Sequence, residues 1–110
     1  MKKCKITVLK CLQNDEFVNT YYPGREPIPC SWMKEGDVFY TGGPFGIEMP
    51  EGFCGLAWHA IGKDAVVLAS GGRLHNVEKK YHVGCCNDGL RPAIFLLEAY
   101  EDDEQAEIIE

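Results

Sequence analysis

Two adjacent cysteines, Cys85 and Cys86, begin the stretch of the chain that is best suited to chemistry. Residues 85–92 read Cys-Cys-Asn-Asp-Gly-Leu-Arg-Pro, so Arg91 lies a few positions from both thiols. A thiol beside a guanidinium ionises more readily, and the thiolate is the form that binds metals and attacks electrophiles. The sequence therefore predicts thiol chemistry in which Arg91 tunes the charge of the cysteines.

Two further cysteines are candidates for the same site. Cys30 follows a proline-rich loop, and Cys54 lies where a helix is expected to begin. No Cys-x-x-Cys spacing is present, so only the fold can bring the thiols together. Four thiolates suit zinc or an iron–sulfur cluster, because both prefer soft sulfur ligands. We therefore predict a metal, cluster or thiol-redox site made by Cys30, Cys54, Cys85 and Cys86.

Two other interpretations of these cysteines stay open. Free cysteine behaves as a small hydrophobe, so some or all of the thiols could simply be packed. A metal-free reactive thiol is the other possibility, since Cys54 would lie in the positive field at the start of a helix. His59 is placed too far round that helix to share its face with Cys54, although it could approach a thiol of another element.

The chain's apolar patterns predict the elements that must position these residues. Alternation predicts strands over 3–10, 38–41, 81–86 and 92–100, and the region 12–33 is expected to be irregular. Apolar residues spaced three and four apart predict a helix that starts near Pro50, with a possible break at Gly62. Asn-Asp-Gly at 87–89 predicts a tight turn. The order predicts a small single α+β domain, mostly an antiparallel sheet packed on one helical segment, with a C-terminal β-hairpin.

The first predicted strand contains the two remaining cysteines. Its alternation places Cys4 on the buried face with Ile6 and Val8, and Cys11 at the strand's end on the opposite face. Both are assigned to packing.

The net charge of −6 comes from the C-terminal end of the chain. Six acidic residues fall within 101–110, and the rest of the chain has equal numbers of acidic and basic side chains. We expect a domain over 1–100 and an acidic tail over 101–110 that could bind a protein partner. The lack of a basic stripe argues against nucleic-acid binding.

The N-terminal residues lack the long apolar run of a signal peptide or a membrane span. This predicts a cytoplasmic protein without membrane contact, whose cysteines are reduced. The alternative function comes from another class: a non-catalytic interaction module with structural cysteines, whose acidic tail engages a partner.

Several motifs make the chain resemble a family of short prokaryotic proteins, many from anaerobic bacteria and archaea, for which no activity is established. The resemblance covers nearly the whole chain, and its most specific part is the Cys-Cys-x-Asp-Gly-Leu-Arg-Pro ending. It matches Cys30, Cys54, Cys85 and Cys86 to the family's motif cysteines, and it leaves Cys11 and His59 outside the motifs. The stretches that carry it are 3–9, 29–30, 35–39, 50–54 with Trp58, and 85–92.

Overall fold

The computed structural model describes residues 2–24, 30, 32–75, 77–101 and 107–108. Within them the chain forms a sheet, two α-helices and a short 3₁₀ turn at Pro44–Gly46. In chain order the elements are β1 (Lys2–Cys11), α1 (Asp15–Tyr21), β2 (Val38–Tyr40), α2 (Gly55–Ala69), β3 (Tyr81–Cys85), β4 (Ala93–Glu101) and β5 (Glu107–Ile108).

The sheet is antiparallel, with strand order β2-β1-β4-β3, and β5 pairs with the C-terminal end of β4. α2 packs across β1, β4 and β3. The predicted α+β fold with its C-terminal hairpin is therefore confirmed. Of the predicted acidic tail, the structure describes Glu101 and the backbone of Glu107–Ile108, and the other tail residues lie outside the described ones.

The core lies between α2 and the inner face of the sheet. Alternate residues of β1 and β4 point towards the helix, because successive side chains of a strand face opposite sides. Cys4 is among them and is completely buried, as predicted from the alternation. The largest fully buried side chains are Phe95, Ile6, Ile61, Leu68, Leu97 and Val8.

A β-bulge in β1 overturns the predicted position of Cys11. Val8 pairs with Phe95 and Lys10 pairs with Ile94, so Leu9 is an extra residue and the alternation of β1 shifts by one. Cys11 then pairs with Ala93, whose side chain is buried, and packs against the core. The prediction that Cys11 faces the opposite side was wrong because it assumed an unbroken alternation.

Helix α1 was also missed, since its region was expected to be irregular. It begins after Asn14 and has Asp15 and Glu16 in its first turn, where carboxylates interact favourably with the helix dipole. The side chain of Asn14 does not cap the helix but donates a hydrogen bond to the carbonyl of Gly89. This contact links the β1–α1 connection to the hairpin loop between β3 and β4.

Helix α2 starts later than predicted and is not broken. Pro50–Gly52 form a turn, the helix begins at Gly55, and Cys54 is its N-cap residue. Gly62 lies inside the helix because the indole of Trp58 packs against it. A methyl group at Gly62 would lie 2.8 Å from the Trp58 ring.

We expect the substitution Gly62→Ala to destabilise the protein, although alanine is normally the better helix former. The new methyl group would push the Trp58 ring out of place, at a cost of about 1–3 kcal/mol in the free energy of unfolding. Gly55→Ala is the matched control in the same helix, since a methyl group there meets no atom within 4 Å. Urea denaturation measures both. Equal stability of the two variants would contradict this explanation of Gly62.

Candidate functional site

A cavity of about 700 Å³ opens at the end of the sheet where α2 begins. Its size falls within the range of small-molecule sites, roughly 300–1,000 Å³. The lining is mostly apolar and includes the side chains of Trp32 and Leu56, which are 75% and 73% exposed and border its opening. Three cysteines and one arginine also line it: Cys30, Cys54, Cys86 and Arg91.

The structure thus brings together three of the four predicted site cysteines, from three separate segments of the chain. Cys85 does not line the cavity. It is exposed and pairs with Ile94, whereas Cys86 packs against the core. The two neighbours therefore differ in exposure and in their contacts with the core. His59 lines the cavity as well, and the sequence analysis had considered that it could approach a thiol of another element.

Cys54 is held in place by the buried aromatic residue that precedes it. Phe53 makes edge contacts with Phe39 and Trp58 and lies 5.5 Å from the ring of Phe95. The Cys54 carbonyl accepts the hydrogen bond of the Trp58 N–H, which starts the helix, while its thiol makes no capping bond. The thiol therefore remains available to a ligand at the positive end of the helix dipole.

Cys86 is fixed by the pairing that closes the hairpin. Its N–H donates to the Ala93 carbonyl at 3.1 Å, and the Ala93 N–H donates to its Sγ at 3.3 Å. The same sulfur lies 4.0 Å from the Arg91 carbonyl, to which the thiol can donate. The position of this sulfur is therefore set by the first residue of β4.

Asp88 organises the loop that carries Arg91. Its Oδ1 accepts hydrogen bonds from the N–H groups of Leu90 and Arg91, and its Oδ2 lies 3.3 Å from the Arg91 Nε. Partial burial alone would raise the pKa of Asp88. The hydrogen bonds from Leu90 and Arg91 and the charge of Arg91 outweigh it and hold this pKa below its ordinary value. The Arg91 charge, predicted to tune the thiols, is paired with Asp88.

The pKa values of the three remaining cysteines are raised above that of an ordinary thiol. Burial raises the pKa of Cys4 to about 12. Partial burial of the sulfur, the charge of Cys86 and a hydrogen bond with Cys86 raise the pKa of Cys85, which is opposite to the effect expected from a nearby arginine. Burial also raises the pKa of Cys11, and thiolate charges at Cys30 and Cys86 add to that increase.

Cys11 is the thiol that sequence reasoning failed to place near this site. Its pKa responds to the charges of Cys30 and Cys86, so it lies close to two of the cavity thiols without lining the cavity itself. The available signal was Lys10, which an unbroken alternation places on the buried face together with Val8. Burying an unpaired ammonium group is costly, and this conflict indicates a bulge.

The comparisons with known proteins assign no function to this site. No protein-family model, curated protein or solved structure matches this chain. Within residues 2–24, 30, 32–75 and 77–101, no group of three or more His, Cys, Asp or Glu side chains is arranged to hold a metal ion. Across those same ranges neither α-helix has the length and apolar character that crossing a bilayer requires.

We expect Asp88→Ala to loosen the loop and to lower the free energy of unfolding by about 1–2 kcal/mol, since two backbone N–H groups lose their acceptor. Asp88→Asn keeps one acceptor oxygen and removes only the charge. It should cost less than about 1 kcal/mol, the usual range of a partly exposed ion pair. Urea denaturation of both variants measures the difference, and an equal loss would show that the charge, not the turn, is what matters.

Because the pKa of Cys4 is raised on folding, we expect the free energy of unfolding to fall in alkaline solution. Its pKa rises from 9.0 to about 12 on folding, so above pH 9 the unfolded chain releases a proton that the folded protein retains. The stability is complete below pH 9 and falls between pH 9 and about 12, by roughly 1.4 kcal/mol for each pH unit. Cys4→Ala should remove this part of the pH dependence. Parallel urea curves of both proteins at pH 8 and 10 test it, and identical pH dependence would contradict it.

Proposed function

We propose that this chain is a small cytoplasmic thiol–disulfide exchange protein, whose cavity receives a low-molecular-weight disulfide. One observation carries the proposal: Cys30, Cys54 and Cys86 line a single cavity, although they lie far apart in the sequence. A thiolate that meets a disulfide sulfur exchanges with it through a mixed disulfide. Neighbouring thiols in the same cavity can then take part in the next step.

Cys54 is the thiol best equipped for the first attack. It lies at the positive end of a 15-residue helix, and its sulfur is not used to cap that helix. In this step the Cys54 thiolate forms a bond to one sulfur of the substrate, the substrate S–S bond breaks, and the other sulfur leaves as a thiolate. Cys30 or Cys86 can attack the Cys54 sulfur next, which forms a protein disulfide and releases the remaining half of the substrate.

The cavity's walls indicate the kind of disulfide that fits. Trp32 and Leu56 provide apolar surface at the opening, and Ala57 adds to it inside. Burying this apolar surface against apolar groups lowers the free energy, so the substrate should carry an apolar or aromatic portion beside its sulfur atoms. The Arg91–Asp88 pair leaves little net charge from the loop, so a highly charged substrate has no matching partner there.

Zinc or an iron–sulfur cluster is the alternative ligand of the same cysteines, because such metals prefer soft thiolate donors, and its binding requires these side chains to move from their present arrangement. Metal analysis of protein purified without oxygen separates the two candidates. Near-stoichiometric zinc or iron that is lost in Cys54→Ser favours the metal. Metal-free protein whose thiols exchange with disulfides favours the exchange reaction.

The exchange reaction is tested with an aromatic disulfide that releases a coloured thiol. Cys54→Ser should slow the release at least about tenfold, because the first attack loses its nucleophile. Cys85→Ser is the matched control: it removes an exposed thiol outside the cavity and should change the rate by less than about twofold. Mass spectrometry then locates the adduct. A reaction confined to Cys85 would exclude the proposed function.

A further inference from the structure

We propose that Cys11 is the resolving thiol of this site, so that the oxidised protein carries a Cys11–Cys30 disulfide and Cys54 is free to react again. This inference rests on the proposed exchange function and adds a residue that does not line the cavity. It also gives the thiols distinct roles. Cys54 attacks the substrate disulfide, Cys30 then forms a disulfide with Cys54, and Cys11 forms the final disulfide with Cys30.

The sheet register brings Cys11 to the site. Cys11 pairs with Ala93 on one side, and Cys86 forms hydrogen bonds with Ala93 on the other. The two cysteines therefore flank the same residue of β4 on the inner face of the sheet. Ala93 is buried, and both cysteines pack against the core to which it belongs.

The contacts of Cys11 are with Met33 and Glu35, which lie shortly after Cys30 in the chain. Its Sγ donates a hydrogen bond to the Met33 carbonyl at 3.3 Å, and its N–H donates to the Glu35 carboxylate at 3.1 Å. Met33 directly follows Trp32, which lines the cavity as Cys30 does. Cys11 is thus hydrogen-bonded to a residue three positions after Cys30 in the chain.

The electrostatic coupling agrees with this placement. Of the charges that raise the pKa of Cys11, that of a thiolate at Cys30 acts most strongly, ahead of Glu35, Asp37 and Cys86. Since Coulomb interactions weaken with distance, Cys30 is the thiol to which Cys11 is most closely coupled. The raised pKa lowers the thiolate fraction of Cys11, so Cys11 reacts more slowly than a thiol of ordinary pKa with a disulfide from solution.

The steps balance without any reactant other than the substrate disulfide. The Cys30 thiolate attacks the mixed disulfide at the Cys54 sulfur, which forms the Cys30–Cys54 bond and releases the second substrate thiolate. The Cys11 thiolate then attacks the Cys30 sulfur, so the Cys11–Cys30 bond forms and Cys54 leaves as a thiolate. The two protons lost by Cys11 and Cys30 end on the two substrate thiols, and two electrons pass from the protein to the substrate.

The experiment maps disulfides after a limiting amount of the aromatic disulfide has reacted with the folded, full-length protein. The reaction is stopped with acid, free thiols are alkylated, and peptides are identified by mass spectrometry. We expect a linked Cys11–Cys30 peptide in the wild type. In Cys11→Ser, linkage should stop at Cys30–Cys54 or at the mixed disulfide. Cys85→Ser should give the wild-type map.

The failure of this inference is distinguishable from the failure of the proposed function. If the first substrate thiol is released at Cys54 but Cys11 stays reduced in the wild type, the resolving role is wrong and the exchange function stands. If no cavity thiol reacts, the function itself fails. The wild-type map decides the matter even if Cys11→Ser folds poorly, and Cys11→Ala serves as the second variant because it removes the thiol without adding a hydroxyl group.

Discussion

Leu9 is an extra residue in β1, and the register on its two sides decides which groups reach the core. Before the bulge, Cys4, Ile6 and Val8 face α2; after it, Lys10 faces outwards beside Ile94 and Cys11 faces inwards beside Ala93. An unbroken strand would bury Lys10 instead, at a large desolvation cost. The apolar pattern of the strand thus requires the bulge, and the thiol arrangement at this end of the sheet follows from it.

The same end of the sheet is braced by contacts between segments that are distant in sequence. The Leu12 N–H donates to the Pro92 carbonyl, and the backbone of Asn14 donates to Leu90. These bonds hold the hairpin loop against the β1–α1 connection, while Asp88 orders the loop from within. On the opposite side of the cavity the aromatic contacts of Phe53 fix the start of α2. The cavity is therefore bordered by two anchored segments.

Much of the fold could be predicted from the sequence because its signals are local. The apolar residues of α2 recur at helical spacing, and Asn-Asp-Gly marks the hairpin turn. The bulge had no such signal beyond the misfit of Lys10. Helix α1 did have one, since Asn14 is followed by Asp15 and Glu16, but seven residues give too short an apolar pattern to stand out.

The candidate site was only partly predictable, because it depends on contacts that no local pattern contains. The grouping of Cys30, Cys54 and Cys86 was anticipated, yet only the fold shows that they share a cavity. Cys85, the fourth predicted residue, does not line that cavity. The pairing of Arg91 with Asp88 was not considered, although a spacing of three residues in a tight loop permits it.

Six cysteines in one small domain differ in chemistry because their surroundings differ. Cys4 is buried in the core and behaves as a hydrophobic side chain, whereas Cys85 is exposed to solvent. Cys54 and Cys86 are half-buried at a cavity, and the Ala93 N–H donates a hydrogen bond to the Cys86 sulfur. Water can leave such a cavity when an apolar ligand enters, and a hydrogen bond to sulfur then becomes stronger. Thiol reactivity in this protein should therefore depend on the ligand's fit to the cavity, and not on the exposure of sulfur alone.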